Sequence, residues 1–251
     1  MPPIAELPAT PLRHIGKSRV RGRLIDRIVR ERLYRSAYQP IVDLSTRRIE
    51  GFECLTRFDA ASGKTPDTWF LAAAEAGLGE RLEADTIGCA VRALRVLPGE
   101  MYLSVNASAN SVLNGDVLRI FEKIDPRRIV LEITEHHPVD DYRALNEALN
   151  RLRASGLRIA VDDVGAGYAD LQHLIHLRPD VVKLDMSLTR RMIDCDATRA
   201  MMIGLVGFAH TIGSRVIAEG IETPAQLHAL EAIRVDAGQG YLLGAPIAAS
   251  R

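Results

Sequence analysis

Apolar residues along this chain come in short runs. Each run ends on a polar residue and is followed by a stretch with helical spacing. The runs fall at 52–58, 101–106, 129–132, 157–162, 181–185, 215–219 and 237–243. Among the stretches between them, 141–155 is the clearest: Tyr142, Leu145, Leu149 and Leu152 share one face and Gly156 supplies the stop. A second helix is predicted over 198–213, and Thr223-Pro224 opens a third with a capping residue followed by proline. Near the start, Leu24, Ile25, Ile28, Val29 and Leu33 recur at helical spacing and predict a leading helix. Alternation of strand and helix along most of the chain predicts a parallel α/β fold.

The first unit departs from this rhythm. Segments 38–44 and 49–58 both read as strands, and only Ser45-Thr46-Arg47-Arg48 lies between them. A parallel crossover needs about a dozen residues or more, so these two must pair as an antiparallel hairpin. The expected architecture is a TIM-like (β/α)8 barrel with one antiparallel strand near the N-terminus. Residues 1–22 read as a Pro/Arg-rich tail or linker, with four prolines in the first eleven residues and then Arg13, Lys17, Arg19 and Arg21. Residues 23–251 form the expected single domain.

The polar residues that close the runs recur in corresponding places. Glu53 lies in the first parallel strand, Asn106 ends the next, and Glu132 falls in LEITE; Asp162 and Asp163 close RIAVDD, Lys183 sits in VVKLD, Glu219 closes RVIAE and Gln239 lies in GQGY. In a barrel of parallel strands the C-terminal ends meet at one face, so these groups converge on one pocket. Clustered carboxylates repel one another and drift toward protonation unless cations neutralise them. Oxygen donors select hard ions such as Mg²⁺ or Mn²⁺. The adjacent Asp162-Asp163 pair suggests two ions with one carboxylate shared, which is the usual machinery for in-line attack on a phosphodiester, with metals about 3.5–4 Å apart.

Composition narrows the surroundings of that pocket. The 251 residues are 47% apolar and 25% charged with zero formal net charge, so no global field steers the chain to duplex nucleic acid or an acidic membrane. Attraction for an anionic substrate must be local. Three widely spaced cysteines, Cys54, Cys89 and Cys195, fit a reducing cytoplasm rather than a disulfide framework. The start has no apolar signal core, and the most apolar long stretch, 200–213, is too short to insert in a bilayer. His173 and His176, three apart, read as packing or surface residues, and His136-His137 has no third ligand at zinc spacing. Cys54 has no histidine placed by sequence to activate it and reads as a small core residue.

Taken together, YQPIVDL, GFECLTRF, SVNAS, LEITE, VDDVGAGYADL, VVKLD, VIAEGIET and GQGYLLGAPI resemble the EAL family over residues 24–248, in order and spacing. The resemblance implies a two-metal, cyclic-guanylate-specific phosphodiesterase that opens cyclic di-GMP to linear pGpG in bacterial signalling. It implies Glu53, Asn106, Glu132 and Asp162 as ligands of one ion. Asp163 and a bridging Asp162 serve the second, with Glu219 a ligand of that ion or a general base. Lys183 is implied to position the attacking water and the phosphate, and Glu135 to hold the loop after Asp163. Gln39, Leu55 and Arg57, with Glu222, Gln239 and Tyr241 in supporting positions, make the implied substrate surface. A homodimer and a separate sensory or regulatory protein are the expected partners.

This chain departs from the family pattern at Cys54 (usually Ala), at Val164 and Ala166 (usually Phe and Thr) and at Phe58 (usually Trp). None of these removes a ligand. The competing reading is an EAL domain that binds cyclic di-GMP or docks a protein without turnover; such members typically lose ligands, and this chain keeps them. An enolase-type lyase would need a capping domain that the residues before the barrel are too few to build.

Overall fold

The computed structural model describes residues 13–59, 65–134, 141–165 and 170–248. Helix α1 (Arg13–Glu31) leads into strands β1 (Tyr34–Asp43) and β2 (Ile49–Phe58), followed by α2 (Pro66–Glu75) and α3 (Gly79–Ala90). Then come β3 (Tyr102–Ser108), α4 (Ala109–Leu113), α5 (Asp116–Phe121), β4 (Ile129–Thr134), α6 (Tyr142–Ala154), β5 (Arg158–Val164) and α7 (Asp170–Leu177). The chain continues through β6 (Val181–Leu184), α8 (Met186–Arg191), α9 (Asp196–Thr211), β7 (Arg215–Ala218), α10 (Pro224–Ala232), β8 (Ala237–Gly238) and β9 (Ile247–Ala248). Strands β2 to β8 run parallel in sequence order, and β1 closes the ring by pairing antiparallel with both β2 and β8. The barrel with one reversed strand is thus the observed fold. β9 adds an antiparallel pairing to β1 at Ala37 and Tyr38.

Local signals explain most boundaries. Asp141 caps α6 by accepting from the backbone N–H of Arg143 and Ala144, and Thr223 opens α10 in a capping box with Gln226. Helix α1 begins at Arg13, before the apolar periodicity does, so part of the basic segment read as tail is helical. The last core strand stops at Gly238, leaving Gln239 in the loop that follows.

Alternation along the strands sorts the barrel interior into layers. At the bottom, Ile41, Tyr102, Val130, Ala160, Val181, Ile217 and Ala237 form one apolar cluster. Gly51 belongs to this level, and a Cβ there would lie 2.7 Å from the Tyr102 ring, so glycine makes room for the largest side chain of the layer. Two residues further along the chain from each of these positions, within the strand or just past its end, stands Glu53, Ser104, Glu132, Asp162, Lys183, Glu219 or Gln239. The same two-residue step therefore moves the lining from a dry plug to a ring of chemistry. Outward-facing residues such as Leu103, Val105, Leu131 and Ile133 pack against the helices, with Leu145 and Leu149 of α6 in the same core.

A smaller core seats α1 on the barrel flank, where Ile25, Ile28 and Val29 pack with Tyr34, Trp69, Ala73 and Leu82. Phe58 joins it through edge contacts to Tyr34 and Phe70. Among the described residues, no helix is long and apolar enough to cross a membrane.

Candidate active site

The side chain at the centre of the ring is Lys183 from β6. It is 1% exposed, and its Nζ lies 2.7 Å from Glu219 Oε1, 3.0 Å from both Glu132 Oε1 and Asp162 Oδ1, and 3.5 Å from Glu53 Oε2. One ammonium thus faces four carboxylates. Strand register produces the arrangement: Gln39 is opposite Glu53, Glu53 beside Ser104, and Asn106 beside Glu132. Gln239 ties the ring across the seam where β8 meets β1, its Nε2 donating to Glu53 Oε2 at 2.5 Å and to Glu219 Oε1 at 3.3 Å. Asn106 Nδ2 donates to Glu53 Oε1 at 3.4 Å.

Asp162 and Asp163 both line the cavity, which regular alternation would forbid. The β5–β6 register shifts between Val161 and Val164, and Asp163 adopts φ 53°. The left-handed region is tolerated by Asp and Asn better than by other side chains. That local break turns two consecutive carboxylates to one side.

Burial and mutual repulsion hold several of these acids away from ordinary carboxylate behaviour. Desolvation, with Glu53 and Asp162 nearby, pushes Glu132 up to about 8 against the pull of Lys183. Burial drives Glu219 well above the usual range, again opposed by Lys183. Asp163 is raised to about 6 by desolvation and the adjacent Asp162. The carboxylates hold Lys183 far above a normal lysine despite its burial. Cys54, beside Glu53, is buried and pushed up to about 12, so its thiol stays protonated and acts as packing.

The donor set fits hard divalent cations. Oxygens of Glu53, Glu132 and Asp162 lie within 4.8 Å of one another, as do those of Asp162, Asp163 and Glu219, and Asp162 is common to both sets. Glu132 Oε2 is fully buried with no hydrogen-bond partner among the described residues, an orphan a cation would satisfy. A pH-dependent result is expected. Glu132 and Asp163 are raised, so the cation-free native state binds more protons than the unfolded chain between roughly pH 4 and 8. Its stability therefore falls as pH rises through that window. Cations compete with those protons. The gain in Tm on adding Mn²⁺ should accordingly be larger at pH 8 than at pH 6, as scanning calorimetry would read; equal gains would remove proton competition from the account.

Above the ring opens a cavity of about 530 Å³, lined by Gln39, Glu53, Leu55, Arg57, Asn106, Asp162, Asp163, Glu219, Glu222, Gln239 and Tyr241. Glu132 and Lys183 lie beneath its floor. Glu135 and Ala166 fall outside the described residues, as does the His136-His137 pair. His173 is buried against Tyr142 of α6, and His176 stacks on the same ring from the exposed side.

Sequence reading missed Ser104, whose hydroxyl donates to Glu132 Oε1 at 2.6 Å and fixes that carboxylate. Its alternation with Tyr102 and Asn106 was the available signal. It also missed Arg190, on the cavity wall in α8, which pairs with Glu222 at 2.8 Å.

A family model described as EAL domain matches residues 23–246. The cyclic di-GMP phosphodiesterase PA2567 of Pseudomonas aeruginosa is 33% identical over 226 residues, covering 84% of this chain and 38% of that protein. This chain spans only 30% and 27% of two further curated relatives, from Azorhizobium caulinodans and Caulobacter vibrioides. Among solved structures, a manganese and cyclic di-GMP complex of Klebsiella pneumoniae BlrP1 is 27% identical with a TM-score of 0.74, covering 86% of this chain and 56% of that one. An EAL domain protein from Listeria monocytogenes is 26% identical with a TM-score of 0.77, covering 89% of this chain and 92% of that one. The reversed strand, the ring of acids about a buried lysine and a family match across almost all of the described barrel agree: this chain belongs to the EAL domain family.

Proposed function

We propose that this protein is a divalent-metal-dependent phosphodiesterase that hydrolyses cyclic di-GMP to linear pGpG. The observation that carries the reading is the pair of carboxylate sets sharing Asp162 at the floor of a cavity of dinucleotide size. Relatives named as cyclic di-GMP phosphodiesterases support the substrate.

Glu53, Asn106, Glu132 and Asp162 would hold one Mg²⁺ or Mn²⁺, and Asp162, Asp163 and Glu219 a second. When bound, such ions supply Lewis-acid polarisation of the phosphoryl group and make a water nucleophile accessible near neutral pH. Glu219, held 2.7 Å from the Lys183 ammonium, would serve either as that ligand of the second ion or as the base that takes the proton of the attacking water. Lys183 orients Glu219 and Asp162 and opposes negative charge that grows as the phosphorus is attacked. Arg57 clamps a phosphate through its fork of donors. Gln39, Leu55, Glu222, Gln239 and Tyr241 shape the remaining substrate surface, and Glu135 steadies the loop after Asp163. The protein acts as a homodimer in the cytoplasm, under the control of a separate sensory or regulatory protein.

Purified protein incubated with cyclic di-GMP and Mg²⁺ or Mn²⁺ should yield pGpG by chromatography, and excess chelator should abolish it. Tight binding of cyclic di-GMP with no product under any divalent cation would replace the enzyme with a receptor.

A further inference from the structure

At one end of the cavity the wall carries Met186 and Arg190 of α8, Glu222 of the β7–α10 loop, and Tyr241 of the loop after β8. These three segments are locked together. The backbone N–H of Ile221 donates to Gln239 O at 3.1 Å, and that of Leu242 donates to Ile221 O at 3.0 Å, so both sides of Tyr241 are tied to the residue before Glu222. The Glu222 N–H donates to the Gln226 side chain at 2.8 Å. Gly220 has φ 66°, and a Cβ there would lie 2.5 Å from Met186 Cβ, so the loop lies directly on α8.

Arg190 is half-exposed, and its Nη2 donates to Glu222 Oε1 at 2.8 Å. No other acceptor among the described residues takes its Nε or Nη1, so the carboxylate orients the guanidinium and leaves donors free. Tyr241 is 72% exposed, presenting an apolar ring with nothing stacked on it among the described residues. With its charge matched by Glu222, Arg190 is a weak general attractor of phosphate but keeps its directional donors. A donor-only fork oriented by Glu222, on the same cavity lining as an open aromatic ring, suits a planar base with two adjacent acceptors. Guanine presents N7 and O6 on that edge, whereas adenine presents an acceptor and a donor.

We propose that Arg190, aimed by Glu222, reads the N7/O6 edge of one guanine of the cyclic dinucleotide while Tyr241 stacks on its face, making Arg190 a determinant of base specificity. This rests on the phosphodiesterase reading and adds the group that would select guanine over adenine.

The test compares wild type with Arg190→Met and Glu222→Gln on three substrates in the same Mn²⁺ buffer: cyclic di-GMP, cyclic di-AMP and the base-free diester bis(p-nitrophenyl) phosphate. Calorimetric binding of both dinucleotides in Ca²⁺ gives a second readout. Loss of a bidentate contact should raise KM for cyclic di-GMP about 10- to 100-fold with kcat changed much less. The cyclic di-GMP to cyclic di-AMP preference should shrink by a similar factor in both rate and affinity, and the base-free diester should lose much less than cyclic di-GMP does. Glu222→Gln should move the same quantities by less. Unchanged base preference in Arg190→Met overturns the inference, and so does an equal loss on all three substrates, which would make Arg190 structural. Failure of the wild type to hydrolyse cyclic di-GMP would instead remove the phosphodiesterase reading, so the two failures are distinguishable.

Discussion

Asp162→Asn should lower hydrolysis of cyclic di-GMP by about three orders of magnitude or more, while circular dichroism and gel filtration stay as in wild type. Asp162 belongs to both carboxylate sets, so one substitution would weaken both of the proposed cation sites. Ligand geometry and charge in two-metal phosphodiester chemistry act together, and loss of a shared anion removes more than one preorganised electrostatic contact. Asn matches Asp in volume, so packing in the ring is kept. Removing one charge from the crowd around Glu53, Glu132 and Glu219 also relieves repulsion, so the cation-free variant should unfold at a slightly higher temperature than wild type. The stabilisation by Mn²⁺ should shrink in the same variant. Asp163→Asn gives the comparison. Asn tolerates the left-handed backbone at 163 as Asp does, and this residue belongs to one set only, so its loss should be smaller. A folded Asp162→Asn protein with near-normal turnover would mean that the shared carboxylate is not the centre of the chemistry.

Much of this centre was legible because β-strand alternation is a rigid rule. Once Glu132, Lys183 and Glu219 are read as ends of buried strands, topology brings them to one face without further information. The hairpin was legible for a similar reason: four residues cannot make a parallel crossover. What the sequence hid is local. Nothing in RIAVDD announces that the strand breaks its register between Val161 and Val164, yet that break lets Asp162 and Asp163 share a cavity. Lys183 reads as one more strand-end polar residue; its burial against four acids emerges only when all the strands are closed into a ring. Ser104 and Arg190 were passed over because serine and arginine are common surface residues, and only their partners, Glu132 and Glu222, give them meaning. The start of α1 at Arg13 was missed because polar, basic residues carry no apolar periodicity.

Lys183→Met should be the most destabilising single change in the site. The ammonium is buried and lies between 2.7 and 3.5 Å from four carboxylates. Deleting one partner of a buried ionic group leaves charge without compensation, typically costing about 3–5 kcal/mol. The cost should depend on pH, and the sign follows from the acids. Lys183 itself stays protonated in both folded and unfolded chains below about pH 10, so it does not titrate in the working range. Glu132 is raised to about 8 even with Lys183 present; without the ammonium, the acids would be raised further. The native variant therefore takes up more protons than its unfolded chain over a wider window, and its stability falls more steeply as pH rises. Urea unfolding in chelator should show a deficit near pH 8 that narrows toward pH 5.5, and Mn²⁺ should restore part of it by supplying the missing positive charge. In catalysis the variant should lose about 10²- to 10³-fold in kcat, while cyclic di-GMP binding in Ca²⁺ changes much less, because the ammonium matters most as charge builds on the phosphoryl oxygens. Arg57→Ala should show the opposite emphasis, raising KM first, since a phosphate clamp acts on ground and transition states alike. Lys183→Arg should not rescue, because a planar guanidinium does not fit a pocket shaped around an ammonium at 1% exposure. If Lys183→Met matches wild type in stability at pH 8 without cations, the four acids are neutralised by other means and the ammonium is not what holds the ring together.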